Sequence, residues 1–143
     1  MILWRLTRRP FADLTGEGGR LYPGRWHSPG RLIIYTATEP ALAVLEVRVN
    51  LDLPFNLLPE DYVLVRMEAP DRLSMEDVWE LPPQPRAFGD AWLASRRTAL
   101  LCVPSVVVPV VASNMLINPL HPDAAQLTIE KIIPYSFDAR LWS

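Results

Sequence analysis

The longest apolar stretch of the chain, Ala99 to Ala112, is broken by Pro104, Ser105 and Pro109. Proline cannot donate to a strand ladder and cannot continue a helix, so such a stretch folds only in short pieces. It is also too short for a bilayer, which needs about 20 apolar residues. The same punctuation recurs elsewhere. Pro70 ends the loosely alternating run Asp61 to Ala69, and Leu81-Pro82-Pro83-Gln84-Pro85 is a stiff connector too short to link two domains. Pro119 and Pro122 fix the path of Asn114 to Pro122, which reads as a structured loop.

Between these breaks the pattern is mostly that of strands. Ile2 to Leu6, Arg31 to Thr36, Ala99 to Val103, Val106 to Val111 and Leu127 to Ile133 are the apolar or β-branched runs. Five of the six glycines fall in residues 10 to 31, which predicts an irregular segment. Thr38 is placed to cap a helix from Glu39 or Pro40 to about Asn50. A second helix is expected from Arg86 to Arg97, with Phe88 and Trp92 four apart on one face. From Asp138 onward the chain reads as a tail or short turn. Strands dominate and helices are few, so the expected class is α+β: one domain, 1–143, of mixed β-sheets.

Composition excludes several functions. The 143 residues suffice for one domain burying about two-thirds of its unfolded surface. Half of them are apolar and 21% charged, as in globular proteins rather than disordered ones. A net charge of −2 argues against direct nucleic-acid binding, which usually brings a basic excess. Lys131 is the lone lysine among 14 basic residues, a bias that reads as genomic base composition. Cys102 is the single cysteine, so no intramolecular disulfide can form. Met1-Ile2-Leu3-Trp4-Arg5 enters a strand pattern directly, without an export-type leader, and the expected location is the cytoplasm, with no membrane attachment.

Three polar residues stand where an apolar core wants none. Arg25 lies in Gly24-Arg25-Trp26-His27-Ser28-Pro29-Gly30, Tyr35 closes the run Leu32-Ile33-Ile34, and Glu46 interrupts Ala41-Leu42-Ala43-Val44-Leu45. On the expected helix Leu42, Leu45 and Val49 define the inward stripe, and Glu46 shares it. A carboxylate there must meet a donor, open into a cleft, or both. Arg48 is two positions away and points elsewhere, so the helix itself leaves Glu46 unsatisfied. Arg25 brings a planar fork suited to phosphates, and Tyr35 a face that can stack on a flat or cationic ring. Together they suit an anionic ligand that carries a sugar. A surface arginine, a rim carboxylate and a core aromatic are the plain alternatives.

Other chemistries fit less well. Ser105 lacks the glycines of a nucleophile elbow, and a ligand-bonding or carboxylate-orienting hydroxyl is the better reading. His27, His121 and Cys102 lack metal-ligand spacing, so no metal is expected. Cys102 sits inside an apolar strand, where thiols are usually inert, which sets a Cys102–His121–Asn118 thiol site low. The phosphate-loop and dinucleotide fingerprints are both missing from the glycine segment.

Taken together the motifs resemble the RES domain, named for an arginine, a glutamate and a serine. The matching stretches are Gly24-Arg25-Trp26-His27 with Gly30, Ile34-Tyr35-Thr36-Ala37, Leu45-Glu46-Val47, Val103-Pro104-Ser105, Asn114, Ile117-Asn118-Pro119 and His121-Pro122. The likeness covers nearly the whole chain. His27 departs from it, since members often carry asparagine there. The resemblance implies a fold similar to ADP-ribosyltransferase toxins and the role of toxin in a bacterial type II toxin-antitoxin pair. It further implies an Xre-type helix-turn-helix antitoxin as partner, self-association as a homodimer, and NAD+ as substrate rather than bound cofactor.

Carried onto this chain, it makes Arg25, Tyr35 and Glu46 the catalytic residues, with Ser105, Asn118 and His121 joining Arg25 and Tyr35 in substrate binding. Cleavage between nicotinamide and ribose builds an oxocarbenium-like charge that a carboxylate stabilises, and nicotinamide leaves as a neutral molecule without a general acid. Arg25 would hold the pyrophosphate and Tyr35 the nicotinamide side. Water, phosphate or a protein side chain remain open as acceptor. The rival readings are mono-ADP-ribosylation of a cellular protein and a nucleotide-binding module without turnover. Trp26, Trp79 and Trp142 are candidates for partner contacts.

Overall fold

A computed structural model describes residues 1–142. In chain order the elements are β1 (Ile2–Arg8), α1 (Glu17–Leu21), β2 (Ile34–Ala37), α2 (Pro40–Arg48), β3 (Tyr62–Glu68), β4 (Met75–Asp77), α3 (Pro85–Ser95), β5 (Leu100–Pro104), β6 (Ser113–Ile117) and β7 (Thr128–Pro134). Single 3-10 turns lie at Arg9–Phe11, Phe55–Leu57, Pro122–Gln126 and Ala139–Trp142. The strands make one sheet in the order β4-β5-β6-β2-β1-β3-β7. All neighbours run antiparallel except β4 and β5, so the sheet is mixed and the class is α+β, as expected. No helix of the described residues is long and apolar enough to cross a membrane.

The sheet is nearly two sheets. β1 pairs with β3 from Ile2↔Glu68 to Arg8↔Tyr62, yet it meets β2 only at Trp4↔Ala37. The two strands therefore part on either side of one bridge, and a cleft opens between them. Helix α2 follows β2 directly and spans the junction. Its Val44 and Val47 pack with Leu6, Tyr62 and Phe137, while Leu42 and Ala43 pack with Ala37 and Trp4. Glu39 is extended at the helix N-cap without a side-chain bond, and Pro40 supplies the first turn. Thr38 is exposed and does not cap it. Val49 lies beyond the last turn and is 55% exposed, so it leaves the inward stripe expected for it.

Alternation along the strands sorts the remaining core. Leu3, Ile34, Val65, Met67, Leu100 and Ile117 fill one side of the sheet. Trp26, Ile33, Trp92, Leu93, Leu101 and Leu116 fill the other, beneath α3. That packing is close, because a Cβ added at Gly89 would stand 1.7 Å from the Trp26 carbonyl oxygen.

Three expectations need correction. Val106 to Val111 is not a strand: β5 and β6 are antiparallel partners, Ser105 N–H donates to Ala112 O at 3.0 Å, and residues 106–111 are the reversal between them. Val110 takes φ 74° there and is 98% exposed, so topology overrides the β propensity of its valines. Asn114 to Ile117, read as loop, is instead β6, paired on both sides. Asn114 and the following Asn118 signal turns, but Met115 and Ile117 face one core and Leu116 the other. β4 escaped notice because its three residues, Met75-Glu76-Asp77, include two acids at a sheet edge.

Candidate active site

The cleft between β1 and β2 is a cavity of about 1270 Å³. That is ample beside the roughly 300–1,000 Å³ of ordinary ligand pockets. Its wall takes Trp4 to Thr7 from β1, Tyr35 to Ala37 from β2, Glu46 from α2, Arg86 from α3 and Asn114 from β6. The glycine-rich segment completes it with Gly24, Arg25, Trp26 and His27.

Glu46 is the one acidic side chain on this wall. Ser105 Oγ donates to its Oε1 at 2.7 Å, and Asn114 Nδ2 donates to the same oxygen at 2.8 Å. The serine is fixed in turn, because Val108 N–H donates to Ser105 Oγ at 3.0 Å. Both donors come from other elements, as the stripe argument required. Ser105 itself is 2% exposed and stays off the wall, so it holds the carboxylate rather than a ligand. Oε2 receives no hydrogen bond from the described residues, which leaves one oxygen of this wall carboxylate uncommitted.

Tyr35 is present on the wall with its hydroxyl already committed. Trp26 N–H donates to it at 3.2 Å, and it lies 2.7 Å from His27 Nδ1. His27 Nε2 faces the carbonyls of Gly19 and Tyr22 at 2.8 and 2.9 Å, so Nε2 carries the proton and Nδ1 accepts from the phenol. Burial pushes the Tyr35 hydroxyl above its ordinary range, against the opposing bond from Trp26. Tyr35 thus offers the cavity a ring and not a proton. Gly24 allows this arrangement, since a Cβ there would stand 2.5 Å from the Tyr35 oxygen. His27, the departure from the family pattern, ties β2 to the glycine segment.

Arg25 is exposed on the cavity wall and makes no hydrogen bond or ion pair with the described residues. Arg86 donates twice to Gly24 O, both at 3.2 Å, and so fixes the backbone that presents Arg25.

A second cavity arginine was missed. Arg5, midway along β1, is 9% exposed; its Nη1 donates to Phe11 O at 2.7 Å. Burial pulls its guanidinium down to about 10, opposed by the charge of Asp13. The signal was legible in Ile2-Leu3-Trp4-Arg5-Leu6: a charge inside an apolar strand, the same argument that singled out Glu46.

The structure does not bring Asn118 and His121 to this cavity. Asn118 is buried, its Nδ2 donating to Leu93 O at 3.1 Å and its Oδ1 accepting from Leu120 N at 3.1 Å. It braces the turn after β6 against α3. His121 Nδ1 accepts from Asp123 N and caps a 3-10 turn beside a separate pocket of about 340 Å³. Trp26 is 3% exposed and belongs to the core, while Trp142 is covered by Arg48 at 3.9 Å. Trp79, 85% exposed, alone keeps the openness expected of a contact residue. Burial pushes the Cys102 thiol up, as expected of an unreactive cysteine. No cluster of three metal-ligating side chains occurs among the described residues.

The family model of the RES domain matches residues 2–138. The chain is 40% identical over 151 residues to Toxin Res of Pseudomonas putida, covering 99% of this chain and 100% of that protein. It is 40% identical over 142 residues to the Prs ADP-ribosylating toxin of a Sphingobium species, covering 90% and 86%. In fold it is similar to a chain of the M. tuberculosis MbcT-MbcA toxin-antitoxin complex, with TM-score 0.71, 19% identity and coverage of 99% and 86%.

Proposed function

This chain belongs to the RES domain family, and from that premise we propose that it is the toxin of a toxin-antitoxin pair and destroys NAD+ by cleaving the bond between nicotinamide and ribose. The observation that carries the reading is Glu46: one carboxylate, held by two donors on a single oxygen, on the wall of a cavity whose other charged residues are Arg5, Arg25 and Arg86.

Arginine forks suit the pyrophosphate, with Arg25 exposed on the wall and Arg5 buried and held by Phe11 O. The Tyr35 ring packs beside the nicotinamide. Free Oε2 of Glu46 accepts a ribose hydroxyl and stabilises the cationic sugar as the C–N bond lengthens. The bonding pair leaves with nicotinamide, and the lone pair of water or phosphate closes on the anomeric carbon. With water as acceptor, the spare proton passes to solvent. Nicotinamide departs neutral, so the committed Tyr35 hydroxyl is no obstacle.

Incubation with NAD+, with and without phosphate, followed by identification of products tests this. Glu46→Gln should lower turnover by about 10²–10³, as loss of one electrostatic stabiliser does elsewhere. Unchanged NAD+ consumption by that variant would sink the assignment.

The name of the Sphingobium relative favours a second reading, transfer of ADP-ribose to a particular cellular protein. Mass spectrometry of treated lysate separates the two: a discrete modified protein means transfer, free ADP-ribose without one means degradation.

An Xre-type helix-turn-helix antitoxin that covers the cavity mouth is the proposed partner, in keeping with the toxin-antitoxin complex whose chain shares this fold. Co-expression with the neighbouring gene should rescue growth in the cytoplasm. Sedimentation of the purified toxin tests the proposed homodimer.

A further inference from the structure

We propose that Asn114 is a positioning residue for the reaction, one that fixes the rotation of the Glu46 carboxylate; this rests on the proposed reading of the Glu46 site. A carboxylate only accepts hydrogen bonds, so the amide must turn its nitrogen toward Glu46 Oε1, 2.8 Å away. That choice sends Asn114 Oδ1 the other way, into a buried position where it has no partner among the described residues. An orphaned buried acceptor is costly, and native folds keep few of them.

Nothing in the sheet demands an amide here. The residues paired with Asn114 are Ala37 on β2 and Val103 on β5, both apolar. An apolar side chain in this row would leave no orphan. The amide is explained by what its other end does. With Ser105 it places two donors on one oxygen, and two donors on Oε1 fix the plane of the carboxylate. One donor alone would leave the group free to rotate about it. Oε2 is then presented in a single direction, as stabilisation of a developing charge requires.

The test uses three forms of the full chain. Asn114→Ala should lower kcat about 10–100-fold with little change in KM, the pattern of lost preorganisation. Its melting temperature should not fall, since the unpaired acceptor goes with the amide. A side chain needed only for folding would behave in the opposite way.

Asn114→Asp is the sharper probe. It sets a second carboxylate against Oε1, and two carboxylates in contact cannot both ionise easily, so the pair keeps a proton. The other ionisable wall groups are Arg5, Tyr22, Arg25, His27, Tyr35 and Arg86, and they are common to both proteins. The variant should therefore be inactive at neutral pH and, as pH rises, recover only to the level of Asn114→Ala, since an ionised aspartate donates nothing to Oε1. Carbon-13 NMR of labelled glutamate reads the same event without substrate: the Glu46 carboxyl midpoint moves upward in Asn114→Asp. An unmoved midpoint with a native fold, or full kcat in Asn114→Ala, overturns the proposal. Absence of NAD+ turnover in the parent chain would overturn only the proposed function, because the NMR result stands apart from it.

Discussion

The Ser105 hydroxyl lies 2.7 Å from Glu46 Oε1, joining residues 59 apart in sequence across the mouth of the β5–β6 reversal. Ser105 Oγ in turn accepts from Val108 N–H, so the serine holds both the carboxylate and the loop. Ser105→Ala removes a hydrogen bond to a charged group, worth about 1.5–3 kcal/mol. Turnover of NAD+ should fall about 10–100-fold, and the loop should gain hydrogen exchange at Val108. Retained turnover would mean that Asn114 alone suffices to hold Glu46.

Arg5 should act on binding more than on turnover. Burial pulls its guanidinium down to about 10, so it opposes the charged form at neutral pH, and an anion in the cavity relieves that cost. In the linkage sense the penalty is fully present below about 10 and fades as pH rises through the ordinary arginine range. Arg5→Met should raise KM for NAD+ by at least about tenfold while the melting temperature changes little. Pyrophosphate should raise the melting temperature of the parent chain and not of the variant. Equal stabilisation of both would remove Arg5 from the site.

Tyr35→Phe tests the committed hydroxyl. The change leaves His27 Nδ1 and Trp26 N–H without their partner, a loss of about 1–3 kcal/mol in stability. The pH dependence of kcat should keep its shape, because no proton is taken from this group; a lost limb would show that the phenol acts as an acid. Burial raises the folded Tyr35 above its unfolded value near 10, so its contribution to stability is complete below pH 10. Above that the unfolded chain ionises first, and thermal melts from pH 9 upward should show the decline.

Gly89→Ala should abolish the fold. The added methyl would meet the Trp26 carbonyl oxygen at 1.7 Å, against backbone that cannot rotate away. A destabilisation above about 4 kcal/mol is expected, and loss of soluble protein on expression is the readout. A soluble variant would show that α3 can shift away from the Trp26 segment.

The α+β class, the helix after Thr38, the paired helix residues Phe88 and Trp92 and the Arg25–Tyr35–Glu46 wall were all legible, because each rested on a charge or a period set against apolar neighbours. Arg5 carried the same signal and was overlooked beside stronger motifs. Asn114 stands out in the sequence only as part of a motif, because the asparagines and prolines around it carry the signature of a loop and hide its strand. Asn118 and His121 follow closely after Asn114 in sequence, yet the turn at Pro119 takes them to other partners; proximity along the chain said nothing of it. The Val106–Val111 reversal was illegible locally, as β-branched residues describe a preferred backbone and not the partner it requires.

The rows Ile34–Ile117–Leu100 and Tyr35–Leu116–Leu101 cross β2, β6 and β5 side by side, one facing each core. A slip of one residue in β2 would exchange them, thrusting a phenol among aliphatics and an isoleucine into the cleft. A misassembled molecule therefore fails wholesale instead of surviving as a half-active one: proofreading of the fold and proofreading of the chemistry are the same event.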